Sequence, residues 1–312
     1  MSLTRSEGSG DDVDDLDVSI VVPVLDGART MPALLRNLLT QVGAPDRREI
    51  LVVDNGSIDG SQAIARETPG ITLLEAPKRG VSAARNVGLR AARGRIVACV
   101  DVDAQPSRRW LADLLGGFTD ESVLLVAGGL ASYPPTTPAQ RFFARRGLND
   151  PDAFRLDATS RFANGRNFAV RRDAALAIGG WSEDMLRGED IDFSIRMLDA
   201  FGAEVVLRES AVVFHHDRET DEELRLQALG YGYGMALLYD RYPTRYPWGW
   251  RQRRAVARRT ATYLGHELAE RVRGAVGRAD PDVLEQRIYE RRWHAWYLTG
   301  FFRTRRGGGL PR

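Results

Sequence analysis

The 312-residue sequence predicts an α/β fold: a mostly parallel, Rossmann-like central sheet with helices on both faces, followed by a C-terminal helical extension. Three observations carry this. Short apolar runs end in polar residues and alternate with amphipathic stretches, the pattern of strands buried under helices. Aspartates close several of those runs, at the strand ends where such sheets bind ligands. Beyond residue 221 the strand-like runs stop and a basic, helix-prone composition takes over.

Taken in order, residues 1–17 are rich in Gly, Ser and Asp and are expected to form a disordered acidic tail. The run 18–23 reads as a buried strand stopped by Pro23. A helix is expected over 31–42, with Thr30 as N-cap and Pro32 in its first turn. Residues 49–54 form the next strand, and Asn55-Gly56-Ser57 the turn after it. A helix from Ser61, a strand over 71–74, a helix over 82–93 ending at Gly94 and a strand over 96–100 follow. The expected nucleotide-binding half is thus 18–104.

The other half, 105–220, is looser. A helix is expected over 110–118, strands over 123–128 and 162–170, a helix over 189–201, and strands over 205–207 and 212–214. Residues 139–160 show no dominant period. The extension covers 221–312.

Lys and Arg number 44 against 42 Asp and Glu, a net charge of +2 that hides an acidic start and an arginine-rich end. That basic end suits an anionic lipid surface, a phosphate-bearing acceptor or nucleic acid; no nucleic-acid partner is expected. The single cysteine, Cys99, allows no internal disulfide and reads as a small core residue, consistent with a reducing compartment. No signal peptide and no apolar run of the ~20 residues a membrane span needs is evident. A cytoplasmic protein is expected, with peripheral contact at the inner face of the membrane. The stretch 291–303 mixes arginines with Trp293, Trp296 and Phe301. It suits an interfacial membrane helix, the favoured reading, or else packs those aromatics on the main domain.

Two acidic stations carry the chemistry. Asp101 and Asp103 stand two apart after an apolar run and project to one side of an extended segment. Two hard oxygen ligands at that spacing suit Mg²⁺ or Mn²⁺ bridging a diphosphate. Gly188-Glu189-Asp190-Ile191-Asp192 opens an amphipathic run. Asp190 is either a general base or a helix cap, and the helix N-terminus is expected to favour its ionised form. Asp192 and Arg196 are spaced to pair on the helix surface. His215 and His216 end a strand, where one of them either completes a metal site or makes a loop hydrogen bond. Gly179-Gly180-Trp181 offers close backbone approach and a flat face for a sugar ring, or a turn with a core tryptophan.

The strings VSIVVPVLDG, LVVDNGSIDGS, GVSAARNVGL, CVDVDAQP, GRNFAVRRDAALAIGGWSEDMLRGEDIDFSIR and AVVFHH, in that order over about 18–220, resemble the family 2 glycosyltransferases with the A-type (GT-A) fold. The resemblance implies an inverting enzyme of polysaccharide or cell-envelope biosynthesis. It would move a sugar from a nucleoside-diphosphate sugar, expected to be UDP-linked, to a hydroxyl of a saccharide or lipid-linked acceptor. Pro23, Val24 and Asp26 would then touch the nucleotide, and Asp54, with Asn55 beside it, the nucleobase. Arg85 and Asn86 would serve the donor site. Asp101, Val102 and Asp103 would form the metal motif, completed by His215 in preference to His216. Asp190 would be the base, and Asn167, Gly180, Trp181 and Glu189 would lie beside the acceptor or donor sugar. Leu25-Asp26-Gly27 departs from the family, which often has Asn after its P-V pair.

Three other readings are weaker. A sugar nucleotidyltransferase needs a Gly-rich loop with a lysine after the first strand, which Val24-Leu25-Asp26-Gly27-Ala28-Arg29 lacks. A nicotinamide dehydrogenase needs a G-x-G-x-x-G there. A non-catalytic scaffold that binds nucleotide sugar and membrane has no use for both acidic stations.

Overall fold

The computed structural model describes residues 16–147, 156 and 160–309. Residues 1–15, most of the expected tail, lie outside the described residues, as does much of 139–160. The first apolar run forms β1 (Leu16–Val24), two residues longer at its start than expected. It leads into α1 (Met31–Leu39), β2 (Arg48–Asp54), α2 (Ser61–Glu67), β3 (Ile71–Glu75), α3 (Val81–Ala91) and β4 (Gly94–Val100). Thr30 does not cap α1 with its side chain; Gly27 O accepts from the backbone N–H of Thr30 and of Met31 instead.

β5 (Ala104–Pro106), α4 (Trp110–Leu115), β6 (Leu125–Ser132), α5 (Pro138–Arg145), β7 (Asn167–Arg171), α6 (Arg172–Ala177), α7 (Glu189–Phe201) and β8 (Val205–His215) follow. The expected short strands 205–207 and 212–214 are one continuous strand. All eight strands join one sheet in the order β3-β2-β1-β4-β7-β6-β8-β5. β1 to β4 are mutually parallel, so Val24, Asp54 and the residues after Val100 emerge on one edge. β7 runs antiparallel to β4 and β6, and β5 antiparallel to β8. Parallel pairing therefore dominates the first half, and the second half is mixed.

Alternation on the strands sends side chains to two cores, one on each face. Ile20, Val22 and Val24 join Leu34, Leu38 and Trp110 on one face. Val21, Leu51 and Cys99 join Phe168, Trp181 and Phe193 on the other. Burial pushes the Cys99 thiol up to about 12, as suits an inert core cysteine.

The extension is three helices: α8 (Asp221–Arg241), α9 (Trp250–Ala275) and α10 (Pro281–Arg305). α8 begins with a capping box between Thr220 and Glu223. α8 and α10 cross at glycines. A Cβ on Gly232 would overlap the Tyr297 carbonyl, and one on Gly300 the Leu229 carbonyl, so only glycine allows this approach. Trp293 and Phe301 are each 2% exposed. Trp293 packs with Phe142 of α5 and Tyr289, and Phe301 with Trp248 and Tyr239. The aromatics of 291–303 thus build an internal seam, which corrects their reading as a membrane-facing helix. No helix among the described residues is long and apolar enough to cross a membrane.

Candidate active site

The site is assembled at the edge where β4 ends. After Val100 the chain turns through Asp101, Val102 and Asp103 into β5, whose Ala104 is paired with His215 of β8. That register carries Asp103 to His215: His215 Nε2 lies 3.1 Å from Asp103 Oδ1. One ligand atom from each of Asp101, Asp103 and His215 falls within 4.8 Å of the others. His215 Nδ1 is buried with no hydrogen-bond partner among the described residues. Two carboxylates and an imidazole with an uncommitted nitrogen are a donor set for Mn²⁺ or Mg²⁺. Burial pushes the Asp101 carboxyl up against the pull of Arg85, and the charge of Asp103 adds to the push. Burial also disfavours the Asp103 anion, but the His215 hydrogen bond and charge hold its carboxyl below the usual range. His216 is exposed and stacks on Tyr133 with ring centroids 4.3 Å apart, outside this group.

Arg85, on α3, is the hub. The residue is 2% exposed, and its guanidinium donates to Glu189 Oε1 at 3.0 Å, Gly165 O at 2.7 Å and Asp101 Oδ1 at 3.4 Å. Burial opposes its charge, but Glu189 and Asp101 outweigh that and hold it protonated. One side chain thus ties α3, the metal-type edge, the loop before β7 and the start of α7.

Asp190 stands in the first turn of α7 on the wall of the same cavity. Its carboxylate accepts from Gly165 N at 3.1 Å and Ile191 N at 2.9 Å. Burial, then the neighbouring Glu189 charge, push its carboxyl up to about 6. The helix N-terminus was expected to favour the anion; desolvation and like charge outweigh it. A carboxylate near 6 is a stronger base than an exposed aspartate and is still ionised near neutrality.

The cavity holds about 680 Å³ and is lined by Arg85, Asp101, Asp103, His215, Glu189 and Asp190 on one side. α8 and α10 supply the opposite wall, with Leu226, Tyr231, Met235, Leu238 and Tyr297. Arg187 and Arg218 also reach it. Sequence reasoning missed this wall. The only hint was Arg218, three residues beyond His215, and the glycine-tyrosine run 230–234.

Other expected site residues are structural. Trp181 is 2% exposed and stacks on Phe193 at 4.4 Å, inside the core, so it offers no face to a sugar. Gly180 has φ +71 in the turn before it, and a Cβ there would strike Asn86. Asn86 is spent on that turn: it donates to Trp181 O at 2.8 Å and accepts from Trp181 N at 2.8 Å. Asn167 is fully buried, accepts from Trp110 Nε1 and donates to Gly129 O and Ala211 O. Asn55 spends its amide on Lys78 O and Gly80 N. Glu189 does line the cavity, but as the partner of Arg85.

Asp54 and Asp26 lie at neighbouring strand ends outside the cavity. Burial disfavours the Asp54 anion, yet hydrogen bonds from Ser57, Gln62 and Gly56 hold its carboxyl below the usual range. Asp26, exposed at φ 53, accepts from Ile58 N at 2.9 Å. Pro23 and Val24 are buried, and Val102 packs its side chain against Gly27. Asp192 pairs with Arg196 at 2.9 Å, but in the interior rather than on the surface: it is fully buried and also accepts from Ser182, Arg241 and Tyr242.

A family model described as glycosyl transferase family 2 matches residues 19–179. Glycosyltransferase AglE of Haloferax volcanii is 28% identical over 236 residues, covering 73% of this chain and 76% of that protein. The pre-mycofactocin glycosyltransferase of Mycobacterium tuberculosis is 31% identical over 235 residues, covering 73% of this chain and 48% of that protein. The chain therefore spans about half the length of that curated relative. A mannosyltransferase from Pyrobaculum calidifontis, solved with GDP-Man and Mn²⁺, superposes with a TM-score of 0.55 at 20% identity, over 94% of this chain and 76% of its own. At that identity the likeness establishes the GT-A fold.

Proposed function

The chain belongs to glycosyl transferase family 2, and on that premise we propose an inverting transfer in which Asp190 is the general base. The donor is a nucleoside-diphosphate sugar, UDP-linked, and the acceptor a hydroxyl of a saccharide or lipid-linked molecule. Asp101, Asp103 and His215 would hold Mn²⁺ or Mg²⁺, which would supply positive charge to a leaving diphosphate. Pro23, Val24, Asp26 and Asp54 form the neighbouring edge toward the nucleoside. Peripheral contact with the cytoplasmic face of a membrane belongs to the same proposal, and nucleic acid does not.

The observation that carries this reading is that the Asp190 carboxylate stands on the wall of the cavity that also holds the Asp-Asp-His group. The acceptor oxygen attacks the anomeric carbon as its proton passes to Asp190, and the bond from that carbon to the diphosphate oxygen breaks. The electron pair leaves with the nucleoside diphosphate, and configuration inverts. Arg85 keeps Glu189 and Asp101 in register, and Gly165 N orients the Asp190 carboxylate. The tyrosines and apolar side chains of α8 and α10 suit an acceptor that presents a ring or an apolar body.

Incubation with a panel of UDP-sugars, Mn²⁺ and saccharide or lipid-linked acceptors tests it. Free UDP should appear with product of inverted configuration, and Asp190→Asn should abolish transfer while UDP still binds. UDP binding without release across the panel favours the scaffold. Pyrophosphate release from UTP and a sugar phosphate favours the nucleotidyltransferase.

A further inference from the structure

α9 is built the wrong way round for a helix on a soluble protein. Its inward face is largely polar: Glu267 and Glu270 are buried, Glu267 is ion-paired with Arg291 of α10, and Thr260 meets His294 Nε2 at 2.9 Å, with half-buried Val256 and Tyr263 among them. Its outward face is apolar: Leu264, Leu268 and Val272, spaced one turn apart, are 52%, 63% and 58% exposed. Trp250, fourteen residues before Leu264 and on nearly the same stripe, is 67% exposed. Isolated exposed leucines need no explanation, but an aligned stripe opposite a paired polar face does.

The charge pattern identifies the occupant. α9 carries seven arginines and two glutamates, and both glutamates are turned inward. Arg251, Arg254 and Arg258 flank the stripe in its first half, exposed, and their guanidiniums make no hydrogen bond or ion pair among the described residues, though that of Arg251 lies over the Trp250 ring. Beside them opens a cleft of about 450 Å³, lined by Arg253, Arg305 and Arg306 over Trp248 and Phe302. Among the described residues only Arg305 of those three has an acidic partner, Asp240 at 2.8 Å. A second copy of the chain would set this positive helix against its equal. An anionic bilayer satisfies both halves: headgroup phosphates meet the guanidiniums, and the acyl boundary takes the leucines.

We infer that α9 is a peripheral membrane anchor that lies in the headgroup layer of an anionic bilayer, with Leu264, Leu268, Val272 and Trp250 inserted and the basic cleft on a lipid phosphate. This deepens the membrane contact in the proposed function and moves it from α10 to α9. It does not depend on the transfer chemistry, because α9 supplies no residue to the cavity between α7 and α8.

Co-sedimentation of the full chain with vesicles tests it. The chain should bind vesicles of phosphatidylcholine mixed with phosphatidylglycerol, and far less to phosphatidylcholine alone or in high salt. Arg254→Gln with Arg258→Gln should weaken binding roughly 30-fold, at about fivefold per charge near an anionic surface. Leu264→Gln with Leu268→Gln should weaken it on the order of a hundredfold. Both pairs are exposed, and circular dichroism with an unchanged rate of UDP release verifies that each variant is folded. The inference is overturned if the wild-type chain ignores anionic vesicles, or if the leucine pair binds as well as wild type. Light scattering that shows a dimer dissolved by the leucine substitutions, with no vesicle binding, also overturns it in favour of a second copy. Failure of UDP release with intact vesicle binding would count against the proposed function alone.

Discussion

Asp190→Asn should make the protein inactive and more stable at the same time. The Asp190 carboxyl is raised from its ordinary 3.8 to about 6, first by burial and then by Glu189. Its folded-state value lies above its unfolded one, so the fold binds that proton more tightly than the unfolded chain does. The stability this proton carries is present at acid pH and lost as pH rises through about 6. Integrated between those values, the ionised carboxylate costs the fold about 3 kcal/mol at about pH 7.5 and about 1 kcal/mol at about pH 4.5. Asparagine keeps an oxygen for Gly165 N, gives up the second acceptor that meets Ile191 N, and has no charge to desolvate, so the gain is at most that of the removed charge. Guanidinium denaturation followed by tryptophan fluorescence should therefore show a gain of up to about 3 kcal/mol near neutrality that shrinks by about two thirds on acidification. Transfer should fall roughly 100- to 10,000-fold, the range for loss of a general base. A variant no more stable than wild type near neutrality, or a gain that ignores pH, would refute the reasoning about the site's electrostatics.

Four further outcomes follow from the same geometry. The transfer rate of the wild-type chain should fall about tenfold per pH unit below about 6, and Glu189→Gln should move that limb to lower pH, because Glu189 is one of the causes of the raised carboxyl. His215→Ala should weaken Mn²⁺ binding at least about tenfold by titration calorimetry, and unchanged affinity would remove His215 from the ligand set. Trp181→Ala should cost about 3–5 kcal/mol of stability, since the ring is stacked in the core, while the folded fraction keeps its donor KM; a raised KM with unchanged stability would restore the sugar-facing role. Gly300→Val should separate α10 from α8, seen as a red shift of Trp293 fluorescence, because its side chain has no room over the Leu229 carbonyl.

The parts legible in the sequence were those set by local pattern. Apolar runs closed by polar residues gave β1, β2 and β4, and α7 spans the expected 189–201. Asp101, Asp103 and Asp190 stand out by residue type and spacing, and His215 by the resemblance, and the fold brings all four to one cavity. What failed depends on contacts distant in the chain. The direction of β7 leaves no trace in alternation, because a strand buried on both faces looks alike either way. Asp192 and Arg196 have the spacing of a surface pair, yet Arg241 and Tyr242, some fifty residues on, bury them. Asn55, Asn86 and Asn167 match a functional motif but spend their amides inside the fold, on backbone and, for Asn86 and Asn167, also on Glu183 and Trp110. The aromatic-basic composition of the C-terminus showed that something would be covered or inserted, but not which helix turned which side outward.

The glycine crossing of α8 and α10 has a consequence for how such a molecule diversifies. One side of α8 closes the cavity while the other is clamped by a partner helix, and both lie beyond the 19–179 stretch shared with the family. Asp101 and Asp103 fall within that stretch, whereas Asp190, His215 and the helical jaw that faces them lie after it. Exchange of the helical jaw between relatives would change the wall opposite Asp190 and leave Asp101 and Asp103 in place.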